Sequence, residues 1–231
     1  MIFITGDTHS NFERVTQLCR RFKPTIDDTI IILGDAGINY YGEERDCKLK
    51  KALSQLPITI FSIHGNHEIR PETISTYKEF IWNDGIVYRE DKYPNLLFAK
   101  EGEVYDIDGL KTLVIGGAYS VDKQYRIDHS MGWWADEQPS DEIKAKVEKT
   151  LADRGNKIDV ILSHTTPLKY VPTEVFLSFI DQSDVDNSTE EWLDKIENTT
   201  AYKKWYCGHY HTNKKIDKMI FLFKDIIEFK P

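Results

Sequence analysis

The amino-acid sequence predicts an α/β fold, and three observations carry that reading. Between Met1 and Ile63, short runs of β-branched residues alternate with segments of helical apolar spacing. Polar clusters rich in Asp, Asn and His follow those runs directly, at the places where strands end. The 231 residues are 40% hydrophobic, enough for a full core, and charge is spread along the chain without a linker, repeat or low-complexity block. A single domain spanning residues 1–231 is the expectation.

The elements follow in order. Ile2 to Thr5 is a buried strand, and Phe12, Val15, Leu18, Cys19 and Phe22 then recur at helical spacing. Ser10 with Glu13 has the pattern of a capping box at that helix start. Thr29 to Leu33 is a second strand, Gly34 to Gly42 a loop, and Glu43 to Leu56 a helix stopped by Pro57. Ile58 to Ile63 is the third strand. Such alternation implies right-handed crossovers and a largely parallel sheet, with functional loops at the C-terminal strand ends.

The rhythm then changes. Between Gly85 and Ile115, the runs Ile86-Val87-Tyr88, Leu96 to Ala99, Val104 to Ile107 and Thr112 to Ile115 are separated by turn residues and predict a meander. A loop rich in aromatic and charged residues fills Tyr119 to Pro139, Ser140 caps a helix, and Ile158 to Ser163 returns to strand. Thr166 to Thr200 reads as irregular until a helix near Ser188 and Glu191. Lys204 to Cys207, Met219 to Phe223 and Ile226 to Phe229 complete the strands.

Net charge is −8, which argues against a broad nucleic-acid surface or adhesion to an anionic membrane. A small anionic substrate would need positive charge from bound metal. Cys19, Cys47 and Cys207 are odd in number and show no Cys-x-x-Cys spacing, so neither a disulfide framework nor a thiolate zinc site is indicated, and a reducing compartment fits. No signal-peptide pattern or bilayer-length apolar run is present. The expectation is a cytoplasmic protein away from membranes.

Five clusters carry the chemistry: Asp7-Thr8-His9, Gly34-Asp35, Gly65-Asn66-His67-Glu68, His164, and Gly208-His209-Tyr210-His211. Six of the seven histidines fall inside or beside them. Carboxylate oxygens together with imidazole nitrogens suit first-row divalent metals. The glycines before the ligands are expected to serve sharp turns at strand ends.

In order and type, these clusters resemble the motifs of the calcineurin-like metallophosphoesterase family: D-x-H, G-D, G-N-H-[D/E], a lone H, and G-H-x-H. The match spans residues 7 to 211. The resemblance implies a four-layer αββα sandwich with two mixed β-sheets. It also implies two divalent transition-metal ions, manganese first, with iron, zinc, cobalt or nickel as alternatives. Asp7, His9 and His211 would bind one ion, Asn66, His164 and His209 the other, and Asp35 would bridge them. A bridging hydroxide would attack a phosphate ester, with His67 as general acid. The implied substrate is a small phosphorylated compound or nucleotide, mono- or diester. The rivals are a non-catalytic metal-binding scaffold of the same fold, a phosphoprotein phosphatase, or a nuclease.

The sequence departs from the family pattern at Ile38, where many members carry a second Asp that supports the catalytic histidine. Asn39, Glu68 or a residue elsewhere then has that task. The arginine that follows in protein phosphatases is missing too. Arg126, in the loop after Gly116-Gly117, is a candidate phosphate ligand, ahead of Lys123. His64 reads as packed, Cys207 as a small core residue, Trp133 and Trp134 as packing under their loop, and Asp181, Asp184 and Asp186 as a polar loop rather than a calcium site.

Overall fold

A computed structural model describes residues 1–176 and 183–230. Its described residues form two mixed sheets. One has the strand order β13-β1-β2-β3-β6-β5-β4 and the other β11-β12-β10-β9-β8-β7. In the first, β1 (Ile2–Thr5), β2 (Thr29–Ile32), β3 (Thr59–Ser62) and β6 (Leu96–Ala99) run parallel. β13 (Ile226–Glu228) borders β1 antiparallel, and β5 (Gly85–Arg89) and β4 (Lys78–Trp82) extend the other side antiparallel. In the second, β8 (Leu110–Ile115), β9 (Val160–Ser163), β10 (Lys204–Cys207) and β12 (Met219–Phe221) are parallel. β7 (Val104–Ile107) and β11 (Lys214–Ile216) are the antiparallel edges.

Strand side chains alternate between the two faces of a sheet, and here both faces are covered, so the strands read as unbroken apolar runs. Register sorts them into layers. Ile4, Ile31 and Phe61 are paired neighbours, as are Val114, Leu162 and Tyr206, and all six join one core between the sheets. Phe3, Ile30 and Ile60 point the other way. They pack with Val15 and Leu18 of α1 (Glu13–Phe22) and Leu53 of α2 (Glu43–Leu53). Leu113, Ile161 and Trp205 face Val147 and Leu151 of α4 (Asp141–Ala152) and Trp192, Leu193 and Ile196 of α5 (Ser188–Thr199). Three cores between four layers make the αββα sandwich. Phe61 is fully buried at its centre, where truncation to Ala would cost about 3–5 kcal/mol.

Several expectations are corrected. The meander is divided: β4, β5 and β6 belong to one sheet, β7 and β8 to the other. β4 and β11 have no counterpart in the sequence reading, because both are edge strands with exposed, charged faces. The segment Tyr119 to Pro139 contains a short helix, α3 (Lys123–Asp128). Ser10 does not cap α1. Its hydroxyl donates to the Gly37 carbonyl at 2.7 Å, and Asn11 Oδ1 accepts from Glu13 N at 3.1 Å instead. Ser140 does cap α4, accepting from Ile143 N at 3.3 Å. Among the described residues, no helix is long and apolar enough to cross a membrane.

Candidate metal centre

The five polar clusters leave the C-terminal ends of β1, β2, β3, β9 and β10 and meet at one edge of the sandwich. The β1 and β2 loops are sewn together by backbone bonds, His9 N to Asp35 O at 2.8 Å and Ser10 N to Ala36 O at 3.0 Å. The Arg14 guanidinium reaches back to the carbonyls of Gly6, Asp7 and Phe223. His9, Asp35, His209 and His211 all adopt left-handed φ, between 43° and 65°. Non-glycine residues rarely do so, and such strain concentrates where side-chain direction matters most. Of the three glycines expected at turns, only Gly34 has such a φ, +87°. Gly65 supplies room instead, since a Cβ there would lie 2.1 Å from Asp35 Oδ1.

Two donor groups result. Asp7, His9 and His211 form one, with His211 Nε2 3.2 Å and His9 Nε2 3.8 Å from Asp7 Oδ2, and the two ring nitrogens 2.9 Å apart. Asn66, His164 and His209 form the other: Asn66 Oδ1 lies 2.8 Å from His164 Nε2 and 3.1 Å from His209 Nδ1. Asp35 stands between them, Oδ1 3.5 Å from His164 Nε2 and Oδ2 4.0 Å from His9 Nε2. His164 Nδ1 bonds the Leu33 carbonyl at 2.7 Å, which places a proton there and turns Nε2 toward the Asn66 and Asp35 oxygens.

This donor set fits divalent cations. Asp7 and Asp35 are each 2% exposed, and their ion-pair partners are histidines. Asp7 Oδ2 is buried without a hydrogen bond. A buried carboxylate oxygen left this way is costly unless a cation neutralises it. Burial opposes charge on His164, yet Asp35, Asp7 and the Leu33 carbonyl lift its pKa to about 9. Burial likewise opposes charge on Asp35, but the neighbouring histidines, His164 foremost, hold its carboxyl well below the ordinary value.

His67 lies beside both groups. Its backbone N donates to Asp35 Oδ1 at 2.7 Å, its ring stacks on Tyr40 at 6.3 Å, and its Nε2 is 3.9 Å from Asp122 Oδ1. Neither sequence candidate supports it. Asn39 accepts from the Tyr77 hydroxyl at 2.9 Å, and Glu68 accepts from Gly65 N at 3.0 Å, where burial and Asp35 push its pKa up to about 8. Ile38 is a fully buried core residue. Asp122 belongs to no motif; its one signal in the sequence is a place in the loop after Gly116-Gly117, four residues before Arg126.

Arg126 is not brought to the donor edge. It is fully buried, donates from Nη1 to Ser120 Oγ at 3.0 Å, and donates from Nη2 to the Gly132 carbonyl. Ser120 Oγ also donates to Glu137 Oε2 at 2.5 Å and accepts from Asn66 Nδ2 at 2.9 Å. Lys123 sits over the rings of Trp133 and Tyr119. His64 is buried with neither ring nitrogen bonded, and burial holds its pKa well below the ordinary value. Cys207 is buried in the core, as expected. Asp186 accepts from Ser188 N at 2.9 Å at the start of α5. Asp184 is exposed, and Asp181 lies outside the described residues.

The family model for calcineurin-like phosphoesterases matches residues 1–213. No curated protein matches the chain. Among solved structures, it is similar to the crystal structure of AQ665, a protein of unknown function from Aquifex aeolicus, at 13% identity and a TM-score of 0.30, over 71% of this chain and 80% of that one.

Proposed function

The chain belongs to the calcineurin-like phosphoesterase family, and from that premise we propose that it hydrolyses phosphate esters with two bound divalent cations. The observation that carries the reading is the placement of Asp35, whose two carboxylate oxygens face separate donor groups. Asp7, His9 and His211 would hold one cation, Asn66, His164 and His209 the other, and Asp35 both. What the cation pair supplies when bound is acidification of an attacking water and neutralisation of the phosphate oxygens.

The rest is the work of the side chains. Asp35, whose oxygens face the two donor groups, would be shared by both cations and would lower their mutual repulsion. With the cations bound, the histidines and Asn66 would be neutral ligands, so the loaded edge would be net positive and would attract a phosphate despite the acidic chain. His67, which lies beside both donor groups and within reach of His9 and Asp35, would give its proton to the departing ester oxygen. Tyr40 and Asp122 flank its ring, and the two together would orient it. Manganese is the proposed ion; the His, Asp and Asn donors would also accept iron, cobalt, nickel or zinc. A cytoplasmic setting accords with the free thiols of Cys19, Cys47 and Cys207.

The test is turnover of an aryl phosphate by the Mn²⁺-loaded full chain, with bound metal counted by elemental analysis. Hydrolysis that rises with the second equivalent of metal is the expected result. Two bound ions without turnover of any phosphomonoester or phosphodiester would instead make the protein a scaffold.

A further inference from the structure

The donor edge opens into a cavity of about 790 Å³, a size that suits a small organic molecule. Beyond the donor residues its wall is dominated by Val121, Leu168, Val171, Val175, Phe176 and Val185. Val121, Leu168 and Val175 are 56%, 38% and 41% exposed. An exposed apolar surface beside a catalytic edge marks a place where an apolar ligand group is buried.

Charge sharpens the point. Among the described residues, no Lys or Arg lines this cavity, and the charged groups there outside the donor cluster and His67 are the carboxylates of Asp122 and Glu190. The two cations of the nearby loop are withdrawn, Arg126 into the interior and Lys123 onto aromatic rings. A second phosphate or a carboxylate reaching into this cavity, away from the donor edge, would therefore meet no Lys or Arg and would face the carboxylates of Asp122 and Glu190.

From the cavity we infer that the substrate is a phosphoester whose single anionic group is the phosphate being hydrolysed, and whose alcohol or phenol portion is apolar. The inference rests on the phosphoesterase reading. In the reaction a water oxygen bonds to phosphorus, the ester P–O bond breaks, and the released alcohol takes up a proton.

Three esters whose phenols ionise alike separate the possibilities: phenyl phosphate, para-butylphenyl phosphate and para-(carboxyethyl)phenyl phosphate. Each fully buried methylene strengthens binding roughly fourfold, so a half-buried butyl chain should raise kcat/KM about tenfold over phenyl. The carboxyethyl ester should fall below phenyl. Dissociation constants of the matching non-hydrolysable benzylphosphonates, measured by calorimetry on the Mn²⁺-loaded chain, should follow the same order. Leu168→Lys, at a partly exposed position, should narrow the butyl preference and improve the carboxyethyl ester. Equal values across the three esters and the three phosphonates would overturn the inference while leaving phosphoester hydrolysis intact. If no ester is turned over with two metals bound, the hydrolase reading fails and the phosphonates alone decide: the expected order keeps the apolar site, equal affinities remove it.

Discussion

The side-chain amide of Asn66 donates to Ser120 Oγ at 2.9 Å, and this bond decides which end of the amide faces His164. A serine hydroxyl has one proton to give and two lone pairs to offer. Ser120 gives its proton to the Glu137 carboxylate and accepts from Arg126 and Asn66, so all three positions are used. Asn66 must turn its NH₂ to Ser120 and its oxygen to His164 and His209.

Ser120→Ala is therefore expected to weaken one metal site and spare the other. Loss of a group that orients a ligand typically costs about 10–100-fold in metal affinity. Calorimetric titration with Mn²⁺ should show one of two binding events weakened by that factor, and Ser120→Thr should restore it. Two unaltered events would mean that Asn66 holds its orientation without the hydroxyl.

Asp35→Asn is expected to remove more than one ion's worth of function. The substitution takes a negative charge from a buried position shared by both donor groups. Elemental analysis of the variant after metal loading should find fewer than two ions per chain and turnover near background. Retention of two ions with parent turnover would break the case for a shared ligand.

The structure changes what Arg126→Ala should do. A guanidinium in contact with phosphate would, on removal, raise KM more than it lowers kcat. Arg126 is instead enclosed with Ser120 and the Gly132 carbonyl. Removing it empties a fully buried position and takes one donor each from Ser120 Oγ and the Gly132 carbonyl, a loss of about 1–3 kcal/mol. Thermal unfolding should show a lowered Tm, and the butylphenyl ester should show no selective rise in KM. A raised KM with parent Tm would return Arg126 to the substrate.

The sequence reaches the five ligand clusters because each follows a strand buried on both faces, and such strands are unbroken apolar runs: Ile30, Ile31 and Ile32, or Val160, Ile161 and Leu162. Edge strands carry no such signal. Within Lys78–Trp82 the exposed Lys78, Glu79 and Ile81 look like loop, since only one side of that strand meets the core. The residues around the ligands were hidden for another reason. Ser120 reaches Asn66, and Asp122 comes near His67, only because the loop after β8 folds back over the edge, contacts across more than fifty positions that no local pattern encodes. Ser10 shows the same limit: its capping pattern is local, and a long-range bond to the Gly37 carbonyl prevails.

The last expected outcome concerns His67. It shares a loop with Asn66, yet its ring is held away from the Asn66 group by stacking on Tyr40, with Asp122 near Nε2. A general acid matters in proportion to how poorly the leaving group departs unaided, so His67→Ala should cost about 10²–10⁴ in turnover of an alkyl phosphate. A nitrophenyl ester, whose phenolate leaves without help, should lose far less. Asp122→Asn should reproduce the same leaving-group dependence at smaller amplitude, since it removes a carboxylate that orients the ring and leaves the imidazole in place. Both variants need their metal content measured, because His9, Asp35 and His67 also form a triad close enough to hold an ion. If His67 is a ligand, its replacement lowers metal content and slows both esters equally. Equal losses with both ions retained would also remove the general-acid role, because only proton donation to the leaving oxygen distinguishes the two esters.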